Sequence, residues 1–196
     1  MKLTERLREL SDIPYKISEV MYKEMLDKKL ARIPLDYQST EKANRTAETM
    51  LEAMVNDGKL HAYIFGNVGT GKTYMAFEIL KIIWRRQLPG RFVLFQKDIN
   101  QFSRHDEFAA YSNKLSSYRG LLIIDEMFYD SSYEKLGVHV YNILNNRFID
   151  QYPTIITTNH DTDDITAQIA DPRISRRINH YCYKARKTKR YSGNKK

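Results

Sequence analysis

The octapeptide GNVGTGKT, Gly66 to Thr73, sits between an apolar run, His61 to Phe65, and a helix-like segment, Thr73 to Trp84. A glycine-rich turn placed between strand and helix reads as a phosphate-binding loop. Such a loop curls consecutive backbone N–H groups around a triphosphate, and so requires glycines where a Cβ would obstruct the approach or forbid a positive φ. Gly66, Gly69 and Gly71 meet that demand, with Asn67, Val68 and Thr70 completing the cradle. Lys72 adds a point charge for the β- and γ-phosphates, Thr73 offers a hydroxyl to Mg²⁺, and the helix that follows directs its positive end at the anion. The motif predicts a chain that binds ATP or GTP with Mg²⁺.

The surrounding pattern predicts an α/β domain. Pro34 marks its start, and Ser39 or Thr40 caps a helix running to about Asn56, which Gly58 terminates. Four apolar segments read as strands: His61 to Phe65, Phe92 to Phe95, Leu121 to Ile124 and Thr154 to Thr158. Helical patterns separate them, and the short runs lack strict polar alternation. That combination predicts a mostly parallel sheet covered on both faces, in three layers. At 196 residues the chain has room for one such domain and a short appendage.

Before the domain, Leu3, Leu7, Leu10, Ile17, Val20, Met21 and Met25 recur mostly at spacings of three and four, broken near Pro14. They predict two short amphipathic helices, too small for a core of their own. Their apolar stripe packs on the main domain, on another copy or on a partner. At the other end, residues 172–196 hold ten of the 32 basic residues and no acid, leaving 22 basic against 24 acidic elsewhere. Interleaved with Tyr181, Tyr183 and Tyr191, this tail either contacts nucleic-acid phosphates and stacks on bases or is a solvated end. One cysteine, Cys182, excludes an internal disulfide framework and suits a reducing, cytoplasmic compartment. The mixed charges of MKLTERLREL give no signal peptide or membrane span.

Chemistry beyond the loop concentrates in three later places. LLIIDE puts Asp125 and Glu126 at the carboxyl end of a buried strand, where ligands of open α/β sheets bind. Asp125 is placed to hold Mg²⁺ through its water shell, and Glu126 to orient and deprotonate an attacking water. TIITTN ends in Asn159, either a turn residue or an amide that touches the γ-phosphate from the side. DPRISRRIN carries Arg173, Arg176 and Arg177, either a basic face toward DNA or solvent, or guanidinium groups reaching a neighbouring subunit's nucleotide. The order of glycine loop, acidic pair and polar strand end favours hydrolases over nucleotide kinases, which would not need Glu126 as a base.

These residues resemble the AAA+ ATPases of the DnaC/DnaI helicase-loader group, related to the IstB transposition ATPases. The resemblance covers roughly residues 31–190 and rests on RIPLDYQ, GNVGTGKT, GLLIIDE, YNILNNRF, PTIITTN and RISRRI. It implies Lys72 and Thr73 on ATP and Mg²⁺, Asp125 and Glu126 as the Walker B pair, and Asn159 as the first sensor. It also places Arg173 and Arg177 in the family's arginine pattern, with Arg177 acting in trans within a homo-oligomer. Residues 1–33 would grip a replicative DNA helicase for loading on single-stranded DNA, residues 34–183 would form the ATP-binding domain, and 184–196 the basic tail. An IstB-like role in transposition and a non-hydrolysing ATP-binding adaptor are the alternatives. The cysteine-bearing zinc module of part of the family is absent, and Arg190 is a poor match to the second-sensor arginine.

Overall fold

The computed structural model describes residues 5–6, 41–86, 88–99, 105–128, 133–169 and 171–188. The expected amino-terminal helix pair, the Pro34 boundary, the Ser39 or Thr40 cap and Arg190 lie outside the described residues. In chain order the elements are α1 (Glu41–Asn56), β1 (His61–Gly66), α2 (Lys72–Arg85), β2 (Gly90–Leu94), α3 (Phe95–Ile99) and α4 (His105–Ser116). They are followed by β3 (Leu121–Asp125), α5 (Tyr133–Ile149), β4 (Thr154–Thr158), α6 (Thr162–Ile169), α7 (Pro172–Tyr181) and β5 (Cys182–Lys187).

The strands form one sheet in the order β2-β3-β4-β1-β5, and every pairing is parallel. Parallel strands need crossover connections, which here are helices, so both faces are covered. Under one face, α1 and α2 bury Met50, Met54, Met75, Ile79, Leu80 and Ile83 against Ile64, Ile123 and Ile155. Under the other, Phe108, Leu144, Phe148, Ile174 and Ile178 pack on Tyr63, Ile124 and Ile156. Each large aliphatic or aromatic side chain so buried contributes about 1.5–3 kcal/mol. Strands β3 and β4, in the interior of the sheet, are buried at every residue, whereas the edge strands β2 and β5 are partly open.

The expected parallel, two-faced α/β sheet is therefore present, with two differences. Strand β2 begins at Gly90 and ends before Phe95, which instead opens α3. Gly90 enters the strand because a Cβ there would lie 2.5 Å from Leu80 Cδ1, and its carbonyl accepts from Trp84 Nε1 at 3.1 Å. The second difference is a fifth strand. Residues 184–187, grouped with the tail in the sequence reading, belong to β5, which runs alongside β1 in register from His61 with Cys182 to Gly66 with Lys187.

Arg147, from α5, fixes the amino-terminal end of the sheet. It is fully buried, and its guanidinium donates to Thr154 Oγ1 and to the carbonyls of Leu115, Tyr118, Gly120 and Pro153 at 2.6–3.0 Å. Burial lowers its pKa to about 9, which leaves it cationic at neutral pH. Of the amino-terminal segment, Arg6 donates to the carbonyls of Asp150 and Gln151, in the turn between α5 and β4.

Candidate active site

Because all strands run the same way, the carboxyl ends of β1, β3, β4 and β5 share one edge of the sheet. The phosphate loop leaves β1 there. Gly66 has φ 142°, and a Cβ on it would stand 2.0 Å from the carbonyl oxygen of Lys187. Only hydrogen fits between the loop and β5. Gly69 and Gly71 also take positive φ, at 78° and 81°, and Thr70 Oγ1 donates to the Asn67 carbonyl at 2.8 Å to brace the turn. Val68 projects at the tip, 76% exposed. No side chain caps α2 at Gly71, and an uncapped helix amino-terminus attracts an anion.

Lys72 folds inward. Its ammonium donates to the carbonyls of Gly66 and Asn67 at 2.8 and 2.9 Å and to Asn159 Oδ1 at 2.8 Å. Burial lowers its pKa, while the Asp125 and Glu126 carboxylates act the other way. Thr73 Oγ1 lies 3.0 and 3.2 Å from the two oxygens of Asp125. Four residues from three separate sequence motifs thus meet in one small volume.

Asp125 is buried, and that burial pushes its carboxyl up to about 6, against hydrogen bonds from Thr157 and Thr73 that pull it down. At neutral pH it is mainly ionised. Glu126 is exposed and takes a left-handed backbone, φ 56°, with its N–H donated to Thr157 Oγ1 at 3.1 Å. The donor set of Thr73 hydroxyl and Asp125 carboxylate is all oxygen and sits beside a lysine. That chemistry suits Mg²⁺, which takes one or two carboxylates and fills its remaining positions with phosphate and water.

The arginines stand apart from this pocket. Helix α7 turns Ile174 and Ile178 inward and leaves Arg173 and Arg176 exposed. Arg173 grips the helix's own cap, Asp171, through Nε and Nη2 at 2.9 and 2.8 Å and lies over the Tyr141 ring at 4.4 Å. Arg177 donates to the Tyr181 hydroxyl at 3.2 Å. Among the described contacts neither arginine touches the phosphate loop.

The sequence reading gives Thr157 and Arg147 no role of their own and groups Lys184 with the basic tail. Thr157 joins Asp125 to Glu126, Arg147 organises the far end of the sheet, and Lys184 ties β5 to the segment after Asn159. Lys184 Nζ donates to Thr162 Oγ1 at 3.0 Å and Asn179 Oδ1 at 3.1 Å and faces Asp161 at 3.6 Å. The readable signal for Thr157 was the run of hydroxyls, Thr157 and Thr158, that leads the strand into Asn159; for Lys184 it was the alternation in CYKARK.

Comparison with known proteins agrees with this architecture. A family described as IstB-like ATP binding protein has a model that matches residues 18–190. The crystal structure of DnaI superposes with a TM-score of 0.59 at 22% identity, covering 82% of this chain and 87% of that one. AMPPCP-bound DnaA from Aquifex aeolicus gives 0.58 at 20% identity, over 76% of this chain and 48% of DnaA. The DnaC helicase loader gives 0.50 at 17% identity, over 76% of this chain and 93% of that chain. At these identities the structural likeness is one of fold, that of the AAA+ P-loop proteins. No curated protein matches the chain. Among the described residues no helix is long and apolar enough to cross a membrane.

Proposed function

Because the chain belongs to the IstB-like ATP binding family, we propose that it is an AAA+ ATPase that delivers a replicative DNA helicase to single-stranded DNA. The observation that carries the ATPase reading is the meeting of Lys72, Thr73, Asp125 and Asn159 in one pocket. Residues Gly66 to Thr73 wrap the phosphates, and Lys72 exchanges its bonds to Gly66, Asn67 and Asn159 for phosphate oxygens. That exchange frees the Asn159 amide to register whether a γ-phosphate is present. Thr73 and Asp125 hold Mg²⁺, which when bound neutralises charge on the transferring phosphoryl group. Glu126 accepts a proton from the attacking water. Arg177, with Arg173 beside it on α7, serves the nucleotide of a neighbouring copy, so assembly becomes a condition for turnover. ATP favours a state that grips DNA and helicase, and hydrolysis removes the contacts that maintain it.

The loader role is supported by the motif resemblance and by the shared fold with DnaI and the DnaC helicase loader. Residues 1–33 dock the helicase. A second reading, an ATPase that assists a transposase, is favoured by the IstB description of the family. The partner separates the two. Mixed with the host's replicative helicase, the protein should co-elute from a sizing column in ATP but not ADP. Lys72→Ala should bind nucleotide about 10- to 100-fold more weakly, as expected for losing a charge-assisted bond to phosphate, and should lose that complex. An ATP-dependent complex with the transposase but not the helicase would favour the second reading.

Single-stranded DNA contact is assigned to the exposed basic residues of α7 and β5. Removing the chain from Lys184 onward would take away most of β5, so charge substitution is the cleaner test. Arg176→Gln with Arg186→Gln should flatten the salt dependence of binding by about 0.7 for each lost phosphate contact. An unchanged slope in a fluorescence titration would place the DNA elsewhere.

A further inference from the structure

The ladder between β3 and β4 runs from Leu122 with Thr154 to Ile124 with Ile156 and goes no further. One step beyond it, where the site begins, a single residue of β4 replaces the ladder. Thr157 is 1% exposed, and a hydroxyl so buried needs partners. Its Oγ1 donates to Asp125 Oδ1 and accepts from the Glu126 N–H, while its carbonyl accepts from the Met127 N–H at 3.0 Å. Three consecutive residues, 125 to 127, are thereby held by one. The middle one, Glu126, carries a positive φ that a side-chain-bearing residue keeps only when its surroundings impose it.

We propose that Thr157 is a positioning residue for the acidic pair, using one hydroxyl to set the Asp125 carboxylate for the cation and to aim Glu126 at the attacking water. Asp125 Oδ1 accepts from both Thr157 and Thr73, which leaves Oδ2 as the oxygen less engaged by protein. Were Thr157 merely filling space between strands, valine, nearly the same shape, would serve as well. The inference rests on the ATPase reading for Glu126, but its effect on Asp125 is measurable without turnover.

The test compares the wild-type chain, Thr157→Val and Thr157→Ser. A non-hydrolysable ATP analogue is titrated with Mg²⁺ and with EDTA, melting temperature is followed, and single-turnover phosphate release is measured separately. The valine variant should bind the analogue normally in EDTA yet lose about tenfold of the Mg²⁺-dependent gain, with phosphate release slowed by at least as much. The serine variant, which keeps the hydroxyl, should restore both. Wild-type behaviour of the valine variant would overturn the proposal. So would equal weakening with and without Mg²⁺, or failure of serine to rescue, since either marks a packing role. Should the valine variant not fold, Thr157→Ala, which removes the hydroxyl without adding bulk, faces the same outcomes. Absence of phosphate release from the wild-type chain with single-stranded DNA and helicase present would sink the ATPase reading, while the Mg²⁺ titration would still decide the role of Thr157 toward Asp125.

Discussion

Glu126→Gln should bind ATP as the native chain does and hydrolyse it 10²- to 10⁴-fold more slowly, the usual contribution of a positioned general base. Glutamine keeps the length and polarity of the side chain but accepts no proton. No hydrogen bond of the phosphate loop is lost, because Glu126 hydrogen-bonds through its backbone to Thr157 and not to residues 66–73 among the described contacts. Its exposure, beside an Asp125 that is buried, is what a base facing incoming water requires. The measurement is single-turnover phosphate release together with the affinity for ATP. A rate equal to wild type would remove Glu126 from the chemistry and leave the nucleotide site standing as a binding site.

Arg147→Met should cost about 3–5 kcal/mol of stability, since each buried acceptor left without a donor costs about 1–3 kcal/mol and several are abandoned together. For a domain of this size that corresponds to a fall in melting temperature on the order of 10 °C. The physical reason is the set of five acceptors the guanidinium serves, which methionine would strand in an apolar setting. Lysine should recover little, since a compact ammonium cannot span acceptors arranged around a planar fork. Nucleotide affinity of the folded protein should hardly change. Gly120 and Pro153 precede β3 and β4, so this network lies at the end of the sheet opposite the phosphate loop. A melting temperature within about 2 °C of wild type would mean that water takes over the abandoned carbonyls.

Much of this architecture was legible in the sequence because the relevant chemistry acts through composition at fixed spacing. The glycine loop must be written in glycines, and the interior strands LLIID and TIITT are aliphatic or β-branched up to the site because both faces are covered. Strand β5 was hidden for the opposite reason. As an edge strand it leaves Lys184 and Arg186 exposed, so CYKARK reads as a charged tail although Tyr183 and Ala185 pack on one core and Cys182 on the other. Strand β2 was displaced because its first residue is chosen by the space under Leu80 and Trp84, a tertiary fact. Arg147 and Thr157 were invisible as functional residues since burial, and not identity, makes them matter. The arginines of α7 were found by pattern, but the structure engages them with Asp171, Tyr141 and Tyr181 within the chain.

Strand β1 lies between β4 and β5, and its last residue abuts Lys187. Both neighbours are translated long after it. About 120 residues separate the paired positions of β1 and β5, and at roughly 5–20 residues per second a ribosome needs on the order of ten seconds to supply them. A nascent chain therefore carries the glycine loop with neither flank of its strand in place until β4 appears about 93 residues later, and with β4 alone until β5 follows. The phosphate loop is thus written early, but the sheet that holds it in shape is finished only when much later residues arrive.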